Sequence, residues 1–236
     1  MPEPVVDVRG LAKTYDGREV VREVTICARS GDLLGLVGAN GGGKTTTLRM
    51  LAGLVAPDAG AGFVLGRAVR SGRVDRRRIG YMNQRLALYP ELTVTENLRF
   101  HARMHGLPAR TVDQSIERYG LDEVASRRFT HLSGGWARRA QFAASVIHAP
   151  DLLLLDEPTA GLDVVTRLAL WDWMTQIAAA GSAVIVSTHD LTEAEQLPQI
   201  MLYHDGLAGA QTTPATLIAA ACAPTLEAAV LAEARR

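Results

Sequence analysis

Cysteine is scarce in this chain of 236 residues: Cys27 and Cys222 lie far apart and outside any paired spacing, which excludes a disulfide framework and a cysteine-based zinc site. Net charge is absent as well, 25 basic residues balancing 25 acidic ones. No global field therefore draws the chain to nucleic acid or to an anionic membrane surface. No apolar run approaches the ~18 residues of a membrane span, and the amino terminus MPEPVVDVRG has no apolar stretch of the signal-peptide kind. The expectation is a protein of a reducing compartment, soluble by itself yet able to dock on a membrane protein. Lysine is nearly missing, with Lys13 and Lys44 alone. The arginine-rich run Arg67 to Arg78 lacks interleaved aromatics and reads as a solvated face, with no nucleic-acid partner expected.

Hydrophobic residues, by contrast, make up 47%, enough for one sizeable core with an appended subdomain. The segments VVDVRGLAKTY and EVTICARSGDLLGLVG, broken by Asp-Gly and Ser-Gly turns, read as strands. They run into GANGGGKTTTLRMLAGL, where Leu48, Leu51 and Leu54 recur at helical spacing. DLLLLDEP and SAVIVSTHD are short continuous apolar runs with polar ends, the pattern of strands buried on both faces of a parallel sheet. Their polar groups then stand at the carboxyl ends of strands, where open α/β sheets bind ligands. Thr93 to about Thr130 reads mainly helical, opened by a capping box of Thr93 and Glu96.

Two motifs carry chemistry. GANGGGKT, Gly38 to Thr45, sits between a strand and a helix and has the phosphate-loop spacing. Its glycines let backbone N–H groups turn inward to phosphate oxygens, and the helix that follows adds its positive dipole end. Lys44, a compact ammonium on a flexible stem, suits the β- and γ-phosphates, and the Thr45 hydroxyl suits Mg²⁺. The second motif is Asp156-Glu157 at the end of four leucines. Asp156 is placed to hold the water shell of Mg²⁺. Glu157 is placed to polarise a water for in-line attack on the γ-phosphate.

In order along nearly the whole chain, these motifs and five others resemble the nucleotide-binding subunit of an ATP-binding cassette (ABC) transporter. Tyr15 in KTYDG is similar to the aromatic that stacks on adenine, GANGGGKTT to the phosphate loop, and Gln84 in IGYMNQ to the glutamine loop. LSGG, with Ser133, Gly134 and Gly135, is similar to the family signature, LLLLDEP to the Mg²⁺ and catalytic-base strand, AGLD with Asp163 to the D-loop, and STHD to the switch histidine, His189.

The resemblance implies an α/β fold: a P-loop NTPase core with a mixed or parallel sheet, an N-terminal antiparallel β subdomain and an inserted helical subdomain. It implies a single domain over 1–236, with the insertion at about 86–135 and a carboxyl-terminal tail from about 206. ATP and Mg²⁺ are the implied cofactors. Tyr15, Gly38, Asn40, Gly41, Gly43, Lys44, Thr45 and Thr46 would bind ATP; Thr45, Gln84 and Asp156 would hold the metal; Glu157, His189 and Gln84 would be catalytic. The signature would cover the nucleotide of a second ATPase copy in a head-to-tail dimer, and a separate membrane permease would be the other partner. The implied location is cytoplasmic, on the inner face of the membrane.

LALYPELTVTENLRFHARMHGLP and the terminal TLEAAV are similar to multidrug-type bacterial exporters. An exporter subunit is thus the first expectation, with an importer subunit or a soluble ATPase of the same superfamily as alternatives. The sequence departs from the family pattern at Trp136 after LSGG, at Ala39 in the phosphate loop, and at Ala160 and Val164 around Asp163.

Overall fold

The computed structural model describes residues 3–71 and 74–233. Its strands are β1 (Val6–Tyr15), β2 (Arg18–Ala28), β3 (Leu33–Gly38), β4 (Ala59–Val64), β5 (Arg67–Ala68), β6 (Ile79–Met82), β7 (Leu152–Asp156), β8 (Ala183–Thr188), β9 (Gln199–His204) and β10 (Leu207–Ala208). Its helices are α1 (Lys44–Leu51), α2 (Val94–Met104), α3 (Arg110–Arg118), α4 (Gly134–Val146), α5 (Val164–Ala179), α6 (Leu191–Ala194), α7 (Pro214–Ala220) and α8 (Leu226–Glu233). The strands join into one curled sheet in the order β5-β4-β1-β2-β10-β9-β3-β8-β7-β6.

The first half of that order is mostly antiparallel: the hairpins β1–β2, β4–β5 and β9–β10 are joined by an antiparallel β1–β4 pairing, and β10 lies parallel to β2. Asp16-Gly17, Leu65-Gly66 and Asp205-Gly206 each hold positive φ at both residues, as a two-residue type I′ turn requires, and its twist matches that of the flanking strands. The second half, from β9 to β6, is parallel. The apolar runs have two destinations, because successive side chains leave a strand on opposite faces. Leu153 and Leu155 of β7, with Val184 and Val186 of β8, enter a core shared with α2 to α5. Leu152, Leu154, Ala183 and Ile185 enter a second core with α1, β1 and β2. Each fully buried leucine contributes about 1.5–3 kcal/mol, so an unbroken apolar run is what a doubly covered strand selects.

The capping box at α2 is present, Thr93 accepting from the Glu96 N–H while Glu96 accepts from the Thr93 N–H. The sequence reading needs adjustment at three places. Leu48 and Leu51 are buried, but α1 ends at Leu51 and Leu54 lies beyond it and exposed, since Gly53 turns the chain at positive φ. The tail marked off from about 206 begins inside the sheet: β10 pairs with β9 and with Arg22 of β2, a two-residue strand too short to leave a pattern. The helical insertion, read as ending about 135, stops at the second residue of α4, which continues to Val146 and packs on β6. In the arginine run Arg67, Arg70, Arg76, Arg77 and Arg78 are exposed, while Arg73 lies outside the described residues.

Candidate nucleotide site

The loop from β3 to α1 is shaped by what glycine alone tolerates. Gly43, at the start of α1, has φ +102°, and a Cβ there would lie 2.6 Å from the Val20 carbonyl oxygen. The loop wraps around its own lysine: Lys44 Nζ donates to the carbonyls of Gly38 (2.5 Å) and Ala39 (2.9 Å). Burial pulls the Lys44 pKa down, and the nearby Glu157 and Asp156 carboxylates oppose that pull. Asn40, Gly41, Gly43, Thr45 and Thr46 line the same cleft with Gln84 and Glu157, joined by Val20 from β2.

Across the cleft stands the end of β7, where Asp156 and Glu157 are both buried. Asp156 Oδ1 accepts from the Thr45 hydroxyl at 2.9 Å and from the Ser187 hydroxyl at 2.8 Å. Glu157 has φ +47°, a left-handed conformation uncommon outside glycine. Its N–H donates to Ser187 Oγ at 3.0 Å, so one serine fixes both acids. The turned backbone aims the Glu157 carboxylate into the cleft. Oε2 accepts from Gln84 Nε2 at 3.0 Å and lies 3.4 Å from His189 Nδ1, while Oε1 is 4.0 Å from Lys44 Nζ.

The strand end that carries His189 is fastened from below. The Thr188 hydroxyl donates to buried Glu193 at 2.7 Å, and Arg167 of α5 stands 3.8 Å from Glu193 and 3.5 Å from Asp190. Asp163 caps α5, accepting from the Thr166 N–H at 3.0 Å and the Thr166 hydroxyl at 2.8 Å. These bonds hold the Asp163 carboxyl below its ordinary pKa.

Tyr15 and the signature stand apart from this cleft. Tyr15, at the β1 hairpin, is 41% exposed with the Lys13 ammonium 5.5 Å from its ring centroid. Ser133 occupies the N-cap of α4, yet its hydroxyl makes no capping bond to its own helix. Ser133 and Gly134 are exposed, and a Cβ on Gly135 would sit 3.3 Å from the Thr166 hydroxyl. The signature therefore abuts the start of α5. The departing residue Trp136 is stacked under Arg139, whose guanidinium carbon is 5.1 Å from its ring.

Sequence reasoning passed over four residues of this assembly. Ser187 and Val20 look like ordinary strand residues, and nothing in their spacing singles them out. Arg138 and Gln141 of α4 are buried polar groups in an apolar helix, which is a signal that could have been used. Gln141 Nε2 donates to the carbonyls of Asn83 (3.2 Å) and Arg85 (3.1 Å), and Arg138 donates to Asn83 (3.3 Å). Together they grip the backbone on both sides of Gln84. Burial lowers the Arg138 pKa, against the pull of Asp156 and Glu157.

A family model described as "ABC transporter" matches residues 21–160. A probable multidrug ABC transporter ATP-binding protein of Escherichia coli is 37% identical over 218 residues, which are 90% of this chain and 38% of that protein. A Nod factor export ATP-binding protein I of Ralstonia nicotianae is 38% identical over 221 residues, 91% of this chain and 69% of that protein. The chain thus spans well under half the length of the Escherichia coli relative. Among solved structures, an ATP-binding subunit of an ABC transporter superposes with a TM-score of 0.88 at 28% identity, covering 98% of this chain and 100% of that one. A dimeric ATP-binding cassette bound to ADP and Pi has a TM-score of 0.81 at 23% identity, over 88% of this chain and 98% of the other. That second match speaks for the fold alone.

Proposed function

This chain belongs to the ABC transporter ATP-binding family, and from that premise we propose that it binds and hydrolyses ATP to drive a separate membrane protein, most simply an exporter. The observation that carries the reading is the convergence of Gln84, His189 and Lys44 on the single carboxylate of Glu157. Backbone N–H groups from Gly41 to Thr46 and the Lys44 ammonium hold the phosphates, and Tyr15 offers its exposed ring to adenine. Glu157 takes the proton of the attacking water. Gln84 and His189 orient that carboxylate and the γ-phosphate, positioning being most of what phosphoryl transfer requires.

The donor set also suits Mg²⁺. Thr45, Asp156 and the Gln84 amide offer hard oxygens, and Asp156 lines a cleft with Thr45, Asn83 and Gln84. Among the described residues no group of three or more His, Cys, Asp or Glu could hold a metal alone. Such a site agrees with a cation that keeps waters and phosphate oxygens as ligands. When bound, Mg²⁺ neutralises charge on the β- and γ-phosphates.

Two copies arranged head to tail would let Ser133, Gly134 and Gly135 cover the partner's nucleotide, with Asp163 at the seam. The uncapped Ser133 hydroxyl supports this, since it is left for another acceptor. No helix among the described residues is long and apolar enough to cross a membrane. A separate permease supplies the span in this reading, and the chain works on the cytoplasmic face. The inserted helices of about 86–135 are its contact with that permease. Export rather than import is favoured by the segment Leu86 to Pro108, and the two relatives above carry exporter-type names.

The test is Glu157→Gln, which keeps the shape and removes the base. ATP should still bind while turnover falls by roughly 10²–10⁴, the usual contribution of general acid–base catalysis. Near-normal phosphate release by that variant would overturn the assignment.

A further inference from the structure

The first turn of α4 lacks the fastenings that usually hold a helix start. Ser133 makes no capping bond, no acid stands in the turn, and Gly134 and Gly135 fill its first two helical positions, where glycine costs backbone entropy. Helix ends of this composition fray. Yet this turn carries the signature, so its shape has to come from elsewhere. Trp136, the departure from the family pattern, is the next residue. Spaced i, i+3 on one helix face, Trp136 and Arg139 meet: the guanidinium carbon lies 5.1 Å from the Trp136 ring centroid and 5.9 Å from that of Trp173 on α5. A cation over an indole face is attracted by the quadrupole of the ring, and tryptophan is the best of the aromatic partners.

Trp173 is in turn held fast. Its ring is edge-on to Tyr119, just after α3, at 5.0 Å, and lies 5.6 Å from Phe142 of α4; both neighbours are buried. The start of α4 is therefore joined to α5 at two levels, by Gly135 against Thr166 and by Trp136 through Arg139 to Trp173. A capping bond would stabilise the same turn but would occupy the Ser133 hydroxyl. The ring at 136 stabilises it from the side and leaves that exposed serine free.

We propose that Trp136 is a positioning residue for the signature: through Arg139 it clamps the first turn of α4 to Trp173, so that the turn stays helical while the Ser133 hydroxyl waits for the nucleotide of a second copy. The inference rests on the head-to-tail reading above. It separates two affinities. The clamp lies apart from the chain's own phosphate loop, so it acts on pairing of two copies and leaves the binding of ATP to a single chain alone.

The experiment uses the full chain with Glu157→Gln, so that ATP is held without turnover, and measures the dimer dissociation constant in Mg-ATP by sedimentation beside the ATP affinity of the dilute, unpaired chain. Adding Trp136→Gln should weaken the dimer on the order of tenfold, because a symmetric pair contains the clamp twice, with single-chain ATP affinity unchanged. Trp136→Phe keeps a ring over Arg139 and should recover most of that loss. Trp173→Leu should weaken the dimer similarly, and the double variant should be no worse than the stronger single one, since both act through one guanidinium. Amide exchange at residues 134–137 should quicken in both single variants while β7 stays unaltered. Melting temperatures establish which variants fold; if Trp173→Leu does not, Arg139→Gln, which removes the shared cation, takes its place in the cycle. A dimer that ignores Trp136→Gln, a full loss in Trp136→Phe, or additive losses in the double variant would overturn the proposal; additivity would put Trp136 directly against the second copy. If the Glu157→Gln chain binds ATP but never pairs, the head-to-tail reading itself fails, whereas a chain that pairs regardless of both tryptophans defeats this inference alone.

Discussion

At Glu157 the backbone adopts φ +47°, a choice that costs on the order of 1–3 kcal/mol for a residue with a side chain. What repays it is buried Ser187, whose Oγ accepts the Glu157 N–H and whose hydroxyl hydrogen goes to Asp156. Ser187→Ala leaves that buried N–H without a partner, a loss of about 1–3 kcal/mol. We expect a lower melting temperature. Turnover should fall on the order of tenfold, ~1.4 kcal/mol of barrier, with nucleotide affinity changed far less, because Lys44 and the loop amides remain. Equal losses in affinity and turnover, read by nucleotide titration and phosphate release, would show that Ser187 merely supports the fold.

Helix α4 joins two places that the chain keeps far apart. Its first residues are the signature, and one to two turns later Arg138 and Gln141 grip Asn83 and Arg85 around Gln84. A shift of the helix therefore carries the glutamine segment with it. Gln141→Ala should speed amide hydrogen exchange around residues 83–85 while leaving exchange in β7 unaltered; no change would mean that Arg138 suffices. The far end of α4 has its own pH dependence. Burial, helped by His105 and His101, moves the His148 pKa down to about 4 from an ordinary value near 6.5. The unfolded chain then binds more protons than the folded one between these values, so stability is highest above pH 6.5 and declines as pH falls toward 4. His148→Gln should flatten the melting-temperature profile in that window, and an unchanged slope would assign the acid sensitivity elsewhere.

The whole molecule is a sheet with a core on each face, and the two cores have different contents. One joins β1, β2 and α1; the other joins α2 to α5. The cleft runs along the sheet's carboxyl edge, so Lys44 from one face and Glu157 and His189 from the strand ends meet there, while the signature faces elsewhere. If the signature serves a second copy, two inactive variants should complement each other. Lys44→Ala damages a chain's own phosphate loop, and Ser133→Arg damages the surface that it offers. In a mixed dimer one site combines both defects and the other is intact. Mixing should regenerate nucleotide trapping in one site per mixed dimer; cross-linked mixed dimers that trap nothing would refute the head-to-tail arrangement.

Much of this architecture was legible in the residues, for local reasons. Asp-Gly turns set hairpins, Thr93 and Glu96 set the start of α2, and the glycines before Lys44 set a loop that side chains would block. Four leucines announced a strand buried on both sides because each face needed its own pair. Leu54 kept the helical spacing and still fell outside α1, because Gly53, itself a local stop signal, ended the helix. Tertiary structure alone decided the rest. Ser187 and Gln141 became supports of the site through hydrogen bonds to residues about thirty and about fifty-five positions away. The notch lined by Arg77, Arg103 and His148 arose because these residues come from three separate segments. Periodicity reports which face a side chain leaves by; which distant group it meets there depends on strand order and helix packing.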